Sequence, residues 1–250
     1  MISHDISGPV ARVRLDNHAT RNALGIGDWD AIADAVAAVA ASDARVLLLT
    51  GGKAFCSGSN LGELAALAEN PAGRAPFRLA MRRAMDPLRA IPIPTIAVID
   101  GDCFGGGVAL ALACDIRIAS HAARFAVTPA KLGVSYPQED VARLVAAVGR
   151  GQAARLLFGA VTIDAAEAAR IGLVEVLAES AEVEAHTLAN AIAANAPTSI
   201  AQLKAILGSD GGRYDPAFDQ AFDDNLDGAD FREGVAAFRE RRKPQFGGAA

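Results

Sequence analysis

Two short, almost wholly apolar runs stand out along the chain, Val46–Thr50 and Thr95–Ile99. Both read as strands, and each runs into a glycine-rich turn followed by a helical pattern. Upstream, Val10–Leu15 alternates apolar and basic residues like a half-exposed strand, and Asp28–Ala41 has helical periodicity with Asp28 as N-cap. After the first turn a helix is predicted from about Leu61 to Leu67, a loop over Glu69–Pro76, and a helix over Phe77–Ala90 that ends at Pro92 and Pro94. After the second turn comes helix Val108–Cys114, then short strands Asp115–Ser120 and Arg124–Ala126. Helices follow at Ala142–Val148, Gly151–Phe158 and Asp164–Ile171, the last stopped by Gly172 before strand Leu173–Leu177. From Ala181 the pattern is helical throughout, punctuated by Pro197, Gly208–Gly212 and Pro216. The chain thus divides into an α/β core, residues 1–196, and a helical C-terminal segment, residues 197–250.

The turns themselves carry chemistry. The first is Cys56-Ser57-Gly58-Ser59-Asn60 and the second is Gly105-Gly106-Gly107. Without a Cβ, a glycine lets backbone N–H groups approach a bound oxygen, and a helix beginning there adds unpaired donors. Two such turns on neighbouring strands can each aim one N–H at a single oxygen, which is an oxyanion hole.

Composition narrows the class. The 250 residues are 52% hydrophobic and 21% charged, which is globular, and the formal net charge of −5 argues against nucleic acid as a partner. One basic run, Arg239 with Arg241, Arg242 and Lys243, suits a phosphate, a neighbouring subunit or a solvated helix end. No apolar run approaches the roughly 18 residues of a membrane span, and Met1–Asp5 lacks the features of a signal peptide. Three cysteines, Cys56, Cys103 and Cys114, form no CxxC pair, so buried thiols in a cytoplasmic compartment are expected. The four histidines are scattered, and no metal site is expected.

Nucleotide chemistry drops out. The second turn has Leu110 where GxGxxG needs its third glycine, and Gly51-Gly52-Lys53 has Leu47 and Ala54 where a P-loop needs Gly and Ser or Thr. Ser57 and Ser59 lack the GxSxG setting and a placed histidine, and Cys56 has no adjacent base.

Residues Val46–Leu61 resemble the first signature of the crotonase (enoyl-CoA hydratase/isomerase) superfamily, and Ile93–Gly107 through Cys114-Asp115-Ile116 resemble its second. Arg21–Leu24, Leu156–Val174 and Phe231–Pro244 are similar to further family segments, so the likeness spans nearly the whole chain. It implies a superhelix of ββα repeats, a helical C-terminal region that builds trimers or dimers of trimers, and acyl-CoA thioesters as ligands. No cofactor is implied beyond the coenzyme A of the substrate. The thioester carbonyl would sit between the N–H groups of Ser59 and Gly106. Substrate contacts are implied at Asn22 and Ala23, at Lys53 and Phe55, at Ser57, Asn60 and Leu61, and at Gly105.

The chain departs from the family where a hydratase holds its two glutamates: those positions are Ala109 and Pro129. Neither carries a proton, so the two-carboxylate hydration route lacks its groups. Glu139 and Asp140 are the substitute acid/base candidates, set against a helix-cap role before Val141. Tyr136 is a candidate donor into the pocket, Glu63 a weaker acyl-side candidate, and Asp102 and Asp115 read as structural. The leading expectation is an enzyme that forms a thioester enolate, with isomerisation or other enolate chemistry favoured over hydration. The alternative is a catalytically weak acyl-CoA-binding protein. A serine peptidase on the same fold is a remote third.

Overall fold

The computed structural model describes residues 1–209 and 214–247. It opens with strands β1 (Ile2–Ser7) and β2 (Val10–Leu15) and helix α1 (Ile26–Ala40). Next come β3 (Val46–Thr50), β4 (Ala54–Cys56), α2 (Leu61–Ala66) and α3 (Arg74–Ala90). A second unit is β5 (Thr95–Ile99), β6 (Asp102–Phe104) and α4 (Gly106–Leu112); a third is β7 (Ile116–Ser120), β8 (Arg124–Ala126) and α5 (Gln138–Gly159). Then follow β9 (Thr162–Asp164), α6 (Ala165–Arg170), β10 (Val176–Ala178) and α7 (Ala181–Ala193). Beyond Ala196 the described residues form α8 (Pro197–Gly208), α9 (Pro216–Leu226) and α10 (Ala229–Glu240).

Each of the three central units gives its first strand to one sheet and its second to another. The larger sheet runs β1-β2-β3-β5-β7-β10 and the smaller β4-β6-β8-β9. Within them β3, β5 and β7 are parallel neighbours, as are β4, β6 and β8. The glycine turns follow β4 and β6, so the parallel pairing of those two strands sets the turns side by side.

The larger sheet is covered on both faces, which is why its central strands are apolar at nearly every position. Leu47, Leu49, Ala97 and Ile99 face the main core with α1 and α3. Val46, Leu48, Ile96, Val98 and Ile118 face α7, which meets them through Ala181, Ala185, Ala189 and Ala193. An alanine every fourth residue lets the helix lie close on the strands.

The predicted breaks shift in a few places. The N-cap of α1 is Gly25 rather than Asp28; Asp28 is the third helical residue and accepts from the Gly25 N–H at 3.0 Å. α3 begins at Arg74, because Pro76 in a first turn has no intrahelical hydrogen bond to lose. The two helices predicted at Ala142–Val148 and Gly151–Phe158 are the halves of α5, which kinks at Gly149 (φ 75°, ψ 157°). The glycine break read at Gly208–Gly212 falls largely on residues 210–213, outside the described residues. No helix among the described residues is long and apolar enough to cross a membrane.

Candidate active site

The first turn is fastened to the segment before α1. Ser57 N–H donates to the Arg21 carbonyl at 2.9 Å, Leu24 N–H to the Gly58 carbonyl at 2.8 Å, and Asn60 N–H to the Leu24 carbonyl at 2.8 Å. This makes an isolated parallel bridge between Leu24 and Ser59. In extended backbone successive peptide groups alternate sides, so the Ser59 N–H points away from Leu24, toward the second turn. Asn60 then caps α2, its side chain accepting from the Gly62 and Glu63 amides.

The second turn leaves β6 with the Gly105 N–H still in the ladder, donating to the Ala126 carbonyl at 2.8 Å. Gly105 then takes φ 51° and ψ −118°, and α4 begins at Gly106. A first helical residue has no intrahelical acceptor for its N–H. Among the described residues neither the Ser59 nor the Gly106 amide donates to a protein acceptor.

The two turns are in close contact. A Cβ on Gly58 would stand 3.2 Å from the Gly106 nitrogen, and one on Gly106 would stand 3.5 Å from the Ser59 nitrogen. Gly58 also has φ 105°, a conformation that L side chains rarely adopt. Both turns line one cleft of about 1000 Å³.

Eight of the predicted site residues border that cleft. They are Ser59, Gly106 and Gly105; Ser57, Asn60 and Leu61; and Ala23 and Tyr136. Tyr136 reaches over the second turn, its hydroxyl donating to the Gly105 carbonyl at 2.8 Å. Burial, and after it the nearby Asp140 charge, push its phenol well above the ordinary value.

The other five lie elsewhere. Asn22 is buried, and its amide donates to the Gly51 and Ala54 carbonyls at 2.8 and 2.7 Å while its Oδ1 accepts from the Asn17 N–H at 2.7 Å. Phe55 is a fully buried core residue and Lys53 is exposed outside the cleft. Glu139 and Asp140 sit in the first turn of α5 and do not border the cleft. Arg82 on α3 donates to Glu139 Oε2 and to Asp140 Oδ1, both at 2.7 Å, and Arg143 donates to the same Oδ1 at 3.1 Å. Glu139 is held below its ordinary value by the Arg82 bond, whereas burial pushes Asp140 up despite both guanidinium groups.

Sequence reasoning missed the cationic wall. Arg74 and Arg78 from α3 and Lys131 from the segment before Gly133 border the cleft beside apolar Phe77, Met81 and Phe104. The spacing of Arg74 with Arg78 and of Phe77 with Met81 is the i,i+4 signature of two adjacent helix stripes. Placing Glu69–Pro76 in a loop hid it. No aspartate, glutamate or histidine borders this cleft among the described residues. Cysteine chemistry is disfavoured as well: burial pushes the Cys56 and Cys114 thiols up to about 12 and raises Cys103 too.

Residues 5–249 match the family profile described as Enoyl-CoA hydratase/isomerase. The chain belongs to that family. It is 31% identical over 243 residues to the Mycobacterium tuberculosis protein named probable enoyl-CoA hydratase echA6, covering 96% of each chain. Among solved structures it is similar to an enoyl-CoA hydratase/carnithine racemase from Magnetospirillum magneticum, with TM-score 0.95 and 33% identity over 99% of this chain and 96% of that one. An enoyl-CoA hydratase from Bacillus anthracis is similar at TM-score 0.91 and 31% identity, with 99% of each chain covered. The α/β architecture with its two largely parallel sheets, each closed at one edge by an antiparallel strand, is therefore that of the enoyl-CoA hydratase/isomerase family.

Proposed function

We propose that this chain acts on an acyl-CoA thioester, receiving the thioester oxygen between the Ser59 and Gly106 amides and stabilising an enolate there. The carrying observation is that, among the described residues, these two amides have no protein acceptor and face a cleft that no carboxylate borders. As a thioester becomes an enolate, charge gathers on one oxygen, and fixed donors there lower the barrier by a few kcal/mol. Hydration needs in addition a carboxylate-activated water and a proton for Cα, and Ala109 and Pro129 offer neither. Isomerisation asks for one proton-transfer group, and decarboxylation for none in the step that makes the enolate, since CO₂ leaves its electron pair on Cα. Glu139 and Asp140 stay the acid/base candidates only if the Arg82 contacts release them.

Purified protein with crotonyl-CoA, a 3-enoyl-CoA and D₂O tests the reading. Double-bond migration or Cα–H exchange outpacing hydration supports it. Rapid formation of the 3-hydroxyacyl product overturns the preference for these reactions over hydration, and the absence of turnover and binding with both thioesters overturns the reading itself. The bare cleft wall also favours a second reading, an acyl-CoA-binding protein with weak catalysis. Tight binding with no hydration, isomerisation or exchange selects that one. The exposed Leu207, Phe222 and Phe238 on α8, α9 and α10 support a self-associating C-terminal region, proposed as a trimer or a dimer of trimers.

A further inference from the structure

We infer that Tyr136 is a positioning residue for the oxyanion hole: it fixes and polarises the peptide that supplies the Gly106 donor. The inference rests on the thioester reading above and deepens it.

The Gly105 carbonyl and the Gly106 N–H are opposite ends of one trans peptide group, so they point in opposite directions. Tyr136 Oη holds the carbonyl end at 2.8 Å, and the Val108 and Ala109 amides hold the same oxygen at 2.9 and 3.3 Å. The two amide bonds come with any helix start. The phenol is an addition from a segment 31 residues away. Glycine at 105 leaves this peptide plane free to rotate, and three donors on one oxygen remove that freedom. Because the peptide is conjugated, a hydrogen bond into its oxygen draws electron density from its nitrogen and strengthens the N–H as a donor.

The phenol is itself well placed and keeps its proton. Its ring packs on the main core. Pro137, next in the chain, is the N-cap of α5, and the Arg82–Asp140 pair ties that helix end to α3. Its raised pKa keeps the hydroxyl a donor across ordinary pH. With its hydrogen directed to Gly105, Tyr136 acts on the substrate through the Gly106 amide.

The test uses Tyr136→Phe, which keeps the ring, and 3-fluorotyrosine incorporated at 136, whose more acidic hydroxyl is the stronger donor. The first readout is the infrared carbonyl band of bound butyryl-CoA labelled with ¹³C at C1. The parent should lower the band relative to solution; Tyr136→Phe should return part of that shift and the fluorinated protein should extend it. The second readout is affinity for the nitroethyl thioether of CoA, whose nitronate copies an enolate. Because the Tyr136 bond is already made without ligand, only its strengthening as charge gathers on the ligand is read. Tyr136→Phe should weaken the nitronate about threefold and butyryl-CoA less than about 1.5-fold. A purely structural role predicts equal losses for both ligands and no opposite displacement by fluorine. Unchanged bands in both altered proteins, with the parent band lowered, overturn the role of Tyr136 and leave the thioester reading standing. A parent band at its solution position overturns both.

Discussion

Asp140 has no exposed surface, and its Oδ1 accepts a hydrogen bond from Arg82 Nη2 at 2.7 Å. The pair joins α3, which borders the cleft, to the first turn of α5, which follows the bordering segment Val134–Pro137. Its other oxygen, Oδ2, has no partner among the described residues. Removing the guanidinium leaves the buried carboxylate with Arg143 alone at 3.1 Å, and Arg82→Ala should lose roughly 3 kcal/mol in urea unfolding at pH 7. Arg82→Met with Asp140→Leu should recover only part of it, because Arg143 then loses Asp140 but keeps Asp86 and Glu139 at 3.4 and 3.5 Å. Burial already raises the Asp140 carboxyl above its ordinary 3.8. A carboxyl raised on folding contributes stability below its unfolded value and loses it as pH rises through the folded value. The deficit of Arg82→Ala should therefore shrink as the medium is acidified toward pH 4. A deficit under 1 kcal/mol at pH 7 would show that the pair is not a brace.

Asn22 illustrates how a position in a family motif can be structural. It sits at φ 58° and ties three neighbouring segments together through Asn17, Gly51 and Ala54. Asn22→Ala leaves two carbonyls and an amide without their partner, a loss of about 3 kcal/mol. Because Asn22 does not border the cleft, butyryl-CoA binding at a temperature where the variant is folded should stay within twofold of the parent. Calorimetric titration beside thermal unfolding measures both. A large loss of binding by a fully folded variant would make Asn22 a ligand contact instead.

The gap between the two glycine turns can be probed with a matched pair of substitutions. Gly58→Ala and Gly8→Ala both place an L side chain at positive φ, at 105° and 69°. In the left-handed range of Gly8 the backbone cost is about 1–2 kcal/mol, and φ 105° lies outside that well, so Gly58→Ala costs more stability. Around Gly8 a Cβ meets nothing within 4 Å, whereas at Gly58 it stands 3.0 Å from the Phe104 carbonyl and 3.2 Å from the Gly106 nitrogen. Gly8→Ala should therefore lose stability alone. Gly58→Ala should in addition weaken butyryl-CoA binding tenfold or more, by crowding the proposed donor. Equal affinities in the two variants would remove that amide from the binding site.

The strands and turns that a sequence shows best are those with a local signal. Val46–Thr50, Thr95–Ile99 and both glycine turns are of that kind. β1 is exposed along almost its whole length, so it has no apolar alternation to read. β4 and β6 are three residues each, too short for periodicity, and exist through pairings such as Ala54 with Asp102. The same limit governs the site. The facing of Ser59 toward Gly106 follows from that pairing, and the binding of Glu139 and Asp140 by Arg82 joins residues 57 and 58 positions apart. Their acid/base candidacy rested on residue type and neighbourhood, and neither could reveal an arginine arriving from α3.

At the C-terminal end, Glu233 on α10 holds the chain that follows it. Its carboxylate accepts from Arg242 Nη1 at 2.5 Å, from Arg242 Nη2 at 2.9 Å and from the Gln245 N–H at 2.7 Å. Two of these three bonds thus come from one member of the basic run, Arg242, which is turned inward on this chain. One residue on, the Phe246 carbonyl accepts from Arg45 Nη2 at 2.7 Å, so the strap reaches back to the start of β3. The Arg242 bonds first, and the Gln245 amide second, lower the Glu233 carboxyl from 4.5 to about 2. A carboxyl lowered on folding contributes its stability above the unfolded value and loses it as pH falls through the folded one. The strap should stay closed at pH 5, weaken below 4.5 and open near pH 2. Carboxyl ¹³C titration of Glu233 should show a midpoint near 2, with the Gln245 amide shift following the same curve. Glu233→Gln should abolish that dependence of the amide and leave the rest of the spectrum in place. A Glu233 midpoint near 4.5 would mean that these bonds do not persist in solution.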